Sequence, residues 1–337
     1  MNLEDLRNNA REKMRPFCCV CQECDGKACA GKMPGMGGVG SGTSFKNNIL
    51  ALAEQKINLR TLHKADSPDT EFVFFNKTLS APIMAAPITA IGMQTGGKLG
   101  DKQWAEDVVS ACQSIGTIAW VGDGPDPIHF DTGIKAIKQF KGQGVPVIKP
   151  RENSKIIEYI SRAAEAGATA IGIDIDAAGI IPMKLKGQPV GPKCREDLIT
   201  IINSTTLPII LKGIMTSNEA DLAAEVGAAG IVVSNHGGRV LDYTPGTAEV
   251  LPEIAERVSG RVMVIVDGGV RSGVDVLKML ALGADAVLIG RPLLIGAAGG
   301  GAEGITFILN KFIAELKTAM ILTGCSSLKD ISHEVLR

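Results

Sequence analysis

Residues 217–236 read SNEADLAAEVGAAGIVVSNH and contain one full unit of the pattern that decides the fold. Ser217–Val226 has the spacing of an amphipathic helix, and Gly227 follows it, where glycine can adopt a positive φ and turn the chain. Gly230–His236 then begins as an unbroken apolar, β-branched run and ends in polar residues. Such strands, alternating with helices, are typical of a parallel sheet that is covered on both faces.

The same unit recurs from residue 83 onward, and eight strands are predicted. Helices leave through similar sequences, EAGA at 165–168, EVGA at 225–228 and ALGA at 281–284. A closed (β/α)8 TIM barrel is favoured, because an open doubly wound sheet would be expected to carry a Gly-x-Gly-x-x-Gly turn after its first strand, and none follows here. The predicted strands are Ile83–Pro87, Thr117–Gly122, Val145–Lys149, Ala170–Asp176, Pro208–Gly213, Gly230–His236, Val262–Gly268 and Ala286–Arg291. Predicted helices between them include Asp101–Ile115, Ser154–Ala166, Ser217–Val226 and Ser272–Leu282.

Residues 1–82 are predicted to form an N-terminal extension that packs on the barrel. Residues 83–337 are predicted to form the barrel itself. The extension has a charged start, a glycine-rich stretch at 31–42, a predicted helix over Phe45–Ile57 and a predicted β-hairpin over Glu71–Leu79. The glycine-rich stretch fits either a flexible linker or a loop that needs close backbone approach.

The composition of the chain argues against nucleic-acid and membrane partners. The chain has 45% hydrophobic residues and a net charge of −1, so it lacks the basic footprint of a nucleic-acid-binding protein. Each apolar stretch ends within about ten residues at Gly, Pro or a charge, which is too short to cross a membrane. The first residues, MNLEDLRNNAREKMRP, have no apolar signal core. We therefore expect a cytoplasmic protein with neither a nucleic-acid nor a membrane partner.

Polar side chains occur at or just beyond the ends of five predicted strands. The carboxyl ends of parallel barrel strands meet at one rim, where the active sites of this fold lie. A lysine within an apolar strand is unexpected, since burying an unpaired ammonium group is costly. The sequence therefore predicts an active site at this rim. Its candidate residues are Asp174, Asp176, Lys212, Ser234, His236, Asp267 and Arg291.

The last two predicted strands end in a pattern that suggests a phosphate site. Gly268, Gly269 and Gly290 let backbone N–H groups approach an anion, and Arg271 and Arg291 supply positive charge. Alone, this pattern admits ligands from FMN to a sugar phosphate.

The stretches Ser234–Asp242 and Asp267–Arg271 resemble the FMN-dependent α-hydroxy-acid oxidase and dehydrogenase family, to which glycolate and lactate oxidases belong. Ser80–Thr89, Leu282–Pro292 and Gly324–Leu328 resemble it too, so the likeness runs from about Gly37 to the C-terminus. The resemblance implies an FMN-dependent oxidation of a small 2-hydroxy acid and a homo-oligomer of four or more subunits.

The resemblance also implies roles for individual residues. His236 takes the proton of the substrate hydroxyl while hydride passes to the flavin, Asp176 orients His236, and Arg239 binds the substrate carboxylate. Lys212 stabilises the negative charge that develops on the flavin. The implied FMN-binding residues are Pro87, Ile88, Thr89, Asp174, Lys212, Ser234, His236, Asp267, Gly268, Gly269, Arg271, Gly290 and Arg291.

Several positions depart from the family pattern. The second substrate arginine has no counterpart between Asp176 and Arg195, and residues 33–38 replace the N-terminal substrate tyrosine. Asp174 stands where a threonine commonly approaches the flavin, and Val147–Pro150 replaces a strand end that carries Gln and Tyr. The residues implied in proton abstraction, His236 and Asp176, are kept, whereas the second arginine and the tyrosine that bind the substrate in the family are not. Lys149, Lys184 and Lys186 are candidate replacement contacts for an anion.

Five of the eight cysteines lie within residues 18–29. Cys18, Cys21, Cys24 and Cys29 form a Cys-x2-Cys-x2-Cys-x4-Cys run that approaches ferredoxin-like [4Fe–4S] spacing, and four thiolates also suit zinc. We predict a metal centre at these four cysteines, and the sequence does not choose between an iron–sulfur cluster and zinc. The alternative is a set of free thiols.

Two further functions compete with hydroxy-acid oxidation. One is a non-redox FMN isomerase, or an oxidoreductase that acts on another hydroxylated substrate; the paired His236 and Arg239 argue against the isomerase. The other is a flavin-bearing sensor, which the retained base and its carboxylate disfavour.

Overall fold

Eight parallel strands close into a barrel in the computed structural model, which describes residues 1–32 and 35–337. The order around the barrel is β10-β3-β4-β5-β6-β7-β8-β9, so the predicted (β/α)8 fold is confirmed. The barrel strands are β3 (Ile83–Ile88), β4 (Ala119–Gly122), β5 (Gly144–Ile148), β6 (Ile171–Asp174), β7 (Ile209–Ile214), β8 (Gly230–Val233), β9 (Met263–Val266) and β10 (Ala286–Ile289).

Twelve α-helices are assigned in the described residues, most of them around the barrel. They are α1 (Leu3–Met14), α2 (Thr43–Glu54), α3 (Ile91–Gln94), α4 (Asp101–Ser114), α5 (Pro127–Gln139), α6 (Asn153–Glu165), α7 (Ile181–Leu185), α8 (Arg195–Ile202), α9 (Ser217–Glu225), α10 (Thr247–Val258), α11 (Gly273–Ala281) and α12 (Arg291–Thr323). Short 3-10 helices cover Ile175–Gly179, Leu328–Asp330 and His333–Val335.

Alternating strand residues form two separate apolar cores. Residues such as Met84, Trp120 and Val147 point into the barrel, while their neighbours pack under the helices. The hairpin of β1 (Phe72–Phe74) and β2 (Lys77–Leu79), predicted from the sequence, adds Phe74 and Leu79 to the inner core at the amino ends of the strands. That end is closed by packed side chains, so the carboxyl rim is the end free to carry chemistry.

The polar tails of the predicted strands lie outside the ladder. β8 ends at Val233 and not at His236, and β6 ends at Asp174 and not at Asp176. After β6 the chain enters a 3-10 turn, and after β8 the backbone N–H of His236 donates to the Ser234 hydroxyl, so neither tail continues pairing. The predicted tails are therefore the rim loops of the site.

The N-terminal region is held by the end of the chain. α1 packs on α12, and a Cβ atom at Gly299 would come within 2.3 Å of the Leu6 carbonyl oxygen, so glycine permits this close approach. Bridges pair Ile57 with Leu336 and Asp69 with Ser327. The division of the chain at residue 82 stays a prediction.

By length and composition α12 could cross a membrane. Non-helical torsions at Gly300 and Gly301 break it, however, and 56% of its most apolar window is buried inside the protein. A buried core helix has the same composition, so α12 is weak evidence for a membrane span.

Candidate active site

The structure brings the predicted site residues together at the carboxyl rim of the barrel. Each follows from its strand: Lys212 lies in β7, Asp174 ends β6, and Ser234 comes directly after β8. The others lie within a few residues of a strand end, because the ladder stops where the chain turns outward. They are Pro87, Ile88 and Thr89 after or within β3, Asp176 after β6, His236 and Arg239 after β8, Asp267, Gly268, Gly269 and Arg271 after β9, and Gly290 and Arg291 after β10.

A chain of hydrogen bonds crosses the rim from β7 to β9. The ammonium group of Lys212 lies 3.0 Å from the Ser234 hydroxyl, which donates to Asp267 at 2.7 Å. Burial lowers the pKa of Lys212, but the carboxylates of Asp267 and Asp174 outweigh burial, and its pKa is raised. Lys212 therefore presents a fixed positive charge at the rim.

Asp174 is the centre of a buried ionic group. Its carboxylate pairs with the ammonium of Lys149 and lies 3.4 Å from that of Lys212. Burial favours the neutral acid, yet His236 and the two lysines prevail and hold the pKa of Asp174 well below its usual range. Asp174 is thus a permanent anion between two cations.

His236 is held for proton transfer by Asp176. Its Nδ1 atom lies 3.0 Å from Asp176 Oδ1 and 3.5 Å from Asp174 Oδ1, and its φ of 58° lies in the left-handed region. Backbone strain of this kind persists only where the surroundings enforce it, and it is concentrated at functional sites. If Nδ1 carries the proton towards Asp176, Nε2 is the free acceptor.

Asp176 is electrostatically unlike Asp174. Burial raises its pKa, the charge of Asp174 raises it further, and His236 acts in the opposite direction. Its Oδ2 atom is buried without a hydrogen-bond partner in the described residues. Asp174, Asp176 and His236 also have the mutual spacing of metal ligands, but Lys149 and Lys212 already compensate the negative charge there.

Arg239, Arg271 and Arg291 lie near one another beside the rim, and none of them forms an ion pair within the described residues. Arg271 and Arg291 lie over the Phe45 ring, with guanidinium carbons 5.7 and 4.2 Å from its centroid. Burial and then the charges of Arg271 and Arg239 lower the pKa of Arg291 to about 9. Nε and Nη2 of Arg271 are buried without a partner in the described part of the chain. The excess positive charge of the arginines and the unpartnered donors of Arg271 indicate that an anionic ligand binds here.

A cavity of about 470 Å³ opens beside these arginines. The residues that line it include Gly269, Arg271, Arg291, Cys21 and Cys24. A Cβ atom at Gly269 would lie 2.4 Å from the Asn48 carbonyl oxygen, so only glycine fits where this loop passes α2. The resulting backbone approach is the one predicted for a phosphate cradle.

Comparison with known proteins identifies the family. The model of FMN-dependent dehydrogenase matches residues 35–184 and 183–337. The chain is 34% identical to L-lactate oxidase of Lactobacillus jensenii over 87% of its own length and 78% of that protein. It is 32% identical to 2-hydroxyacid oxidase 1 of Mus musculus over 87% of itself and 88% of that protein. A solved structure of mandelate oxidase superposes with a TM-score of 0.79 at 28% identity, covering 99% of this chain and 97% of that one.

The chain belongs to the FMN-dependent dehydrogenase family. The predicted family, FMN cofactor and oxidoreductase class are thereby confirmed.

The residues present fit FMN. The unpartnered donors of Arg271, the excess positive charge at Arg291 and the Gly269 loop suit its phosphate, and buried Lys212 suits an electron-accepting ring. The backbone of Pro87–Thr89 is fixed from behind, since Trp104 donates to the Ile88 carbonyl and Gln94 to that of Thr89.

The backbone of residues 35–36 contacts two of the arginines beside the rim. Arg239 is largely buried and donates to the Gly35 carbonyl, while Arg291 donates to those of Met36 and Gly237. The segment that stands where the family has its substrate tyrosine therefore contacts both arginines through backbone oxygens. Met33 and Pro34 of this segment lie outside the described residues.

Two features of the rim were not predicted. Lys149, a candidate anion contact, is paired with Asp174 instead, because β5 and β6 are neighbours and bring the two side chains together. Lys184 and Lys186 are exposed. Arg151, which the sequence analysis missed, forms a buried two-bond pair with Asp123 at 2.8 and 2.9 Å. The available signal was a charged residue three positions after the end of an apolar strand.

The cysteine segment, residues 18–32, borders the anion site. All five of its cysteines are free thiols of intermediate exposure, and it contains no helix or strand. In the described residues, no three cysteine sulfurs all lie within 4.8 Å of one another. The segment is tied to α1 by Arg7 and Arg11, whose guanidinium groups donate to backbone carbonyls of residues 19–21.

Proposed function

We propose that this FMN-dependent dehydrogenase oxidises a small 2-hydroxy acid to the 2-oxo acid, with His236 as the base. The observation that carries the proposal is the Asp176–His236 pair, which leaves Nε2 facing away from its carboxylate partner. FMN, when bound, supplies the acceptor for the hydride that leaves the substrate carbon. The names of the relatives, L-lactate oxidase and 2-hydroxyacid oxidase, support the same substrate class.

Different side chains of the protein handle the proton and the negative charge that develops in the reaction. His236 removes the hydroxyl proton, and the Asp176 carboxylate stabilises the imidazolium ion that results. The Asp174 Oδ1 atom lies 3.5 Å from the same His236 nitrogen, and its negative charge also stabilises the imidazolium ion. Lys212 provides positive charge where electrons arrive, because carboxylates keep its pKa raised.

Substrate binding depends on Arg239. Its guanidinium can exchange the Gly35 carbonyl for a substrate carboxylate, a charge-assisted bond that is stronger than the one it replaces. With a single arginine in place of two, each lost bond costs about 1.5–3 kcal/mol of binding free energy. We therefore expect a high KM for lactate or glycolate, or a preference for a different hydroxylated substrate.

The test is an anaerobic titration of the FMN-loaded protein with L-2-hydroxy acids, followed at the flavin absorption band. We expect bleaching by at least one acid and a fall of about 10²–10⁴-fold in its rate in His236→Ala. Bound FMN that no hydroxy acid bleaches would reject the proposal and favour the isomerase or another hydroxyl donor.

Three broader proposals accompany this one. We propose a cytoplasmic protein that assembles into a homo-oligomer of four or more subunits, which sedimentation of the FMN-loaded protein tests. We also propose that Cys18, Cys21, Cys24 and Cys29 bind a metal centre, for which zinc and an iron–sulfur cluster are the two candidates.

A further inference from the structure

Lys149 is a buried charge at the rim that the proposed reaction leaves without a role. Its side chain is 7% exposed, and its ammonium group pairs with Oδ2 of Asp174. The strand register explains this pairing. Ile148 of β5 lies opposite Ile173 of β6, so Lys149 and Asp174 are the next positions along two neighbouring strands. The contact therefore belongs to the frame of the barrel and not to a mobile loop.

The backbone of Lys149 is fixed by a second buried ion pair. Its N–H group donates to the Asp123 carboxylate at 3.1 Å, and the guanidinium group of Arg151 donates two hydrogen bonds to the same carboxylate. Asp123 and Arg151 are both buried. A bidentate pair between arginine and a carboxylate holds its geometry tightly. The Asp123–Arg151 pair thus anchors the chain on either side of the lysine.

The carboxylate of Asp174 is shared unequally among its neighbours. Its Oδ2 atom is taken by Lys149, while its Oδ1 atom lies 3.4 Å from Lys212 Nζ and 3.5 Å from His236 Nδ1. The ammonium group of Lys212 has a shorter contact with the Ser234 hydroxyl, at 3.0 Å. Lys149 is therefore the close partner of Asp174, and Lys212 is a more distant one.

The charges along this part of the rim balance only while Lys149 is present. Lys149 and Lys212 carry two positive charges, and Asp174 and Asp267 carry two negative charges. Without Lys149 the sum becomes negative, and the freed carboxylate of Asp174 can turn to pair closely with Lys212. At an effective dielectric constant of about 20, a charge about 7 Å away changes an equilibrium about 10–100-fold. Electron uptake by a neighbouring ring would then be disfavoured.

We propose that Lys149 is a positioning residue for the flavin: it binds the Asp174 carboxylate and so leaves the charge of Lys212 available to the electrons that FMN receives. Two departures from the family pattern, at Val147–Pro150 and at Asp174, are thereby explained together, because each charge compensates the other. The proposal rests on the part that the proposed function gives to Lys212, and it does not depend on which substrate is oxidised.

The midpoint potential of FMN bound to the full chain tests the proposal, measured by dithionite reduction in the presence of a reference dye. In Lys149→Met the equilibrium constant for two-electron reduction should fall about 10–100-fold, which lowers the potential by about 30–60 mV. Lys149→Arg should stay within about threefold of the wild-type constant, because arginine also pairs with a carboxylate. Lys155→Met, an exposed lysine on α6, is the matched control and should leave the potential unchanged.

The Asp174→Asn background separates positioning from a direct effect of the lysine. With no carboxylate left to turn towards Lys212, adding Lys149→Met should change the constant by less than about threefold. An equal loss in both backgrounds would show that Lys149 acts on the flavin through its own charge, which would overturn the positioning role. An unchanged potential in Lys149→Met alone would overturn it as well.

FMN content and urea unfolding of every variant report whether the barrel is still folded. If Asp174→Asn does not retain FMN, the comparison of Lys149→Arg with Lys149→Met decides the matter, and equal potentials in these two variants would overturn the proposal. The reductant is dithionite and not a hydroxy acid. Failure of the positioning role and failure of the proposed reaction are therefore distinguishable.

Discussion

The barrel rim and the cysteine segment solve the problem of holding reactive groups in opposite ways. At the rim, Asp174 and Lys212 lie in neighbouring paired strands, and the charges of Lys149, Asp174, Lys212 and Asp267 each find an opposite charge within the protein. The cysteine segment has no ladder or helix of its own and is held mainly through backbone carbonyls. Sheet register therefore positions the rim without a ligand, whereas the cysteine segment has no comparable frame.

The largest effect that would sharpen this comparison is expected from Asp176→Asn. The amide cannot stabilise the imidazolium ion of His236, so kcat should fall about 10²–10⁴-fold. The FMN spectrum should be unchanged because the strand geometry remains. Stopped-flow reduction with the best hydroxy acid measures the rate. Glu158→Gln, an exposed carboxylate on α6, is the control, and retention of more than a tenth of kcat in Asp176→Asn would contradict the assigned role.

Removing the central anion of the rim should reduce stability. Asp174→Asn leaves Lys149 and Lys212 short of a buried partner, which costs about 3–5 kcal/mol in the free energy of unfolding. Urea unfolding measures the loss. Adding Lys149→Met should recover part of it, because the two side chains are coupled. An additive double variant would mean that the pair is not a unit.

The pH dependence of that difference has a definite sign. The pKa of Asp174 is lower in the folded protein, so its stabilisation is present above the pKa of an unfolded aspartate, about 3.9, and is lost as pH falls through the folded value. The difference between wild type and Asp174→Asn should be constant from about pH 8 to pH 5 and shrink only below about pH 4. A difference that shrank between pH 7 and pH 5 would contradict this.

A smaller effect is expected from Arg271→Met, which should weaken FMN binding without lowering the stability of the FMN-free protein. FMN should bind about 10–100-fold more weakly, since one or two charge-assisted bonds are lost. The FMN-free protein should be no less stable, because the variant removes two buried donors that have no partner in the described residues. Fluorescence titration and urea unfolding measure the two quantities. Arg257→Met, at an exposed pair with Asp221, should leave FMN binding unchanged.

The smallest effect should appear in the cysteine segment. Arg11→Met removes donors to the carbonyls of Cys19 and Val20, worth about 1 kcal/mol. Amide hydrogen exchange in residues 18–29 should accelerate several-fold while the global urea midpoint stays the same. Lys13→Met, an exposed residue of the same helix, should change neither quantity. A shift of the global midpoint would mean that the segment and barrel unfold together.

Sequence patterns were sufficient to predict the position of a residue wherever that position depends on a single strand. The rim positions of Lys212, His236 and Arg291 follow from the period of the pattern and the shared direction of parallel strands. Pairings between strands were not available in the same way: that Lys149 meets Asp174 depends on the register of β5 against β6. The stacking of Arg291 on Phe45 joins residues far apart in the chain, and no local pattern predicts it.

The contact between α1 and α12 has a consequence for the order of events at the ribosome. Residues 3–14 are made well before their packing partner, residues 291–323. At about 5–20 residues per second, the first helix waits tens of seconds for the surface it binds. Throughout that interval α1, which holds residues 19–21 through Arg7 and Arg11, lacks its own packing partner, so the thiols of residues 18–29 are more open to solvent than in the finished fold.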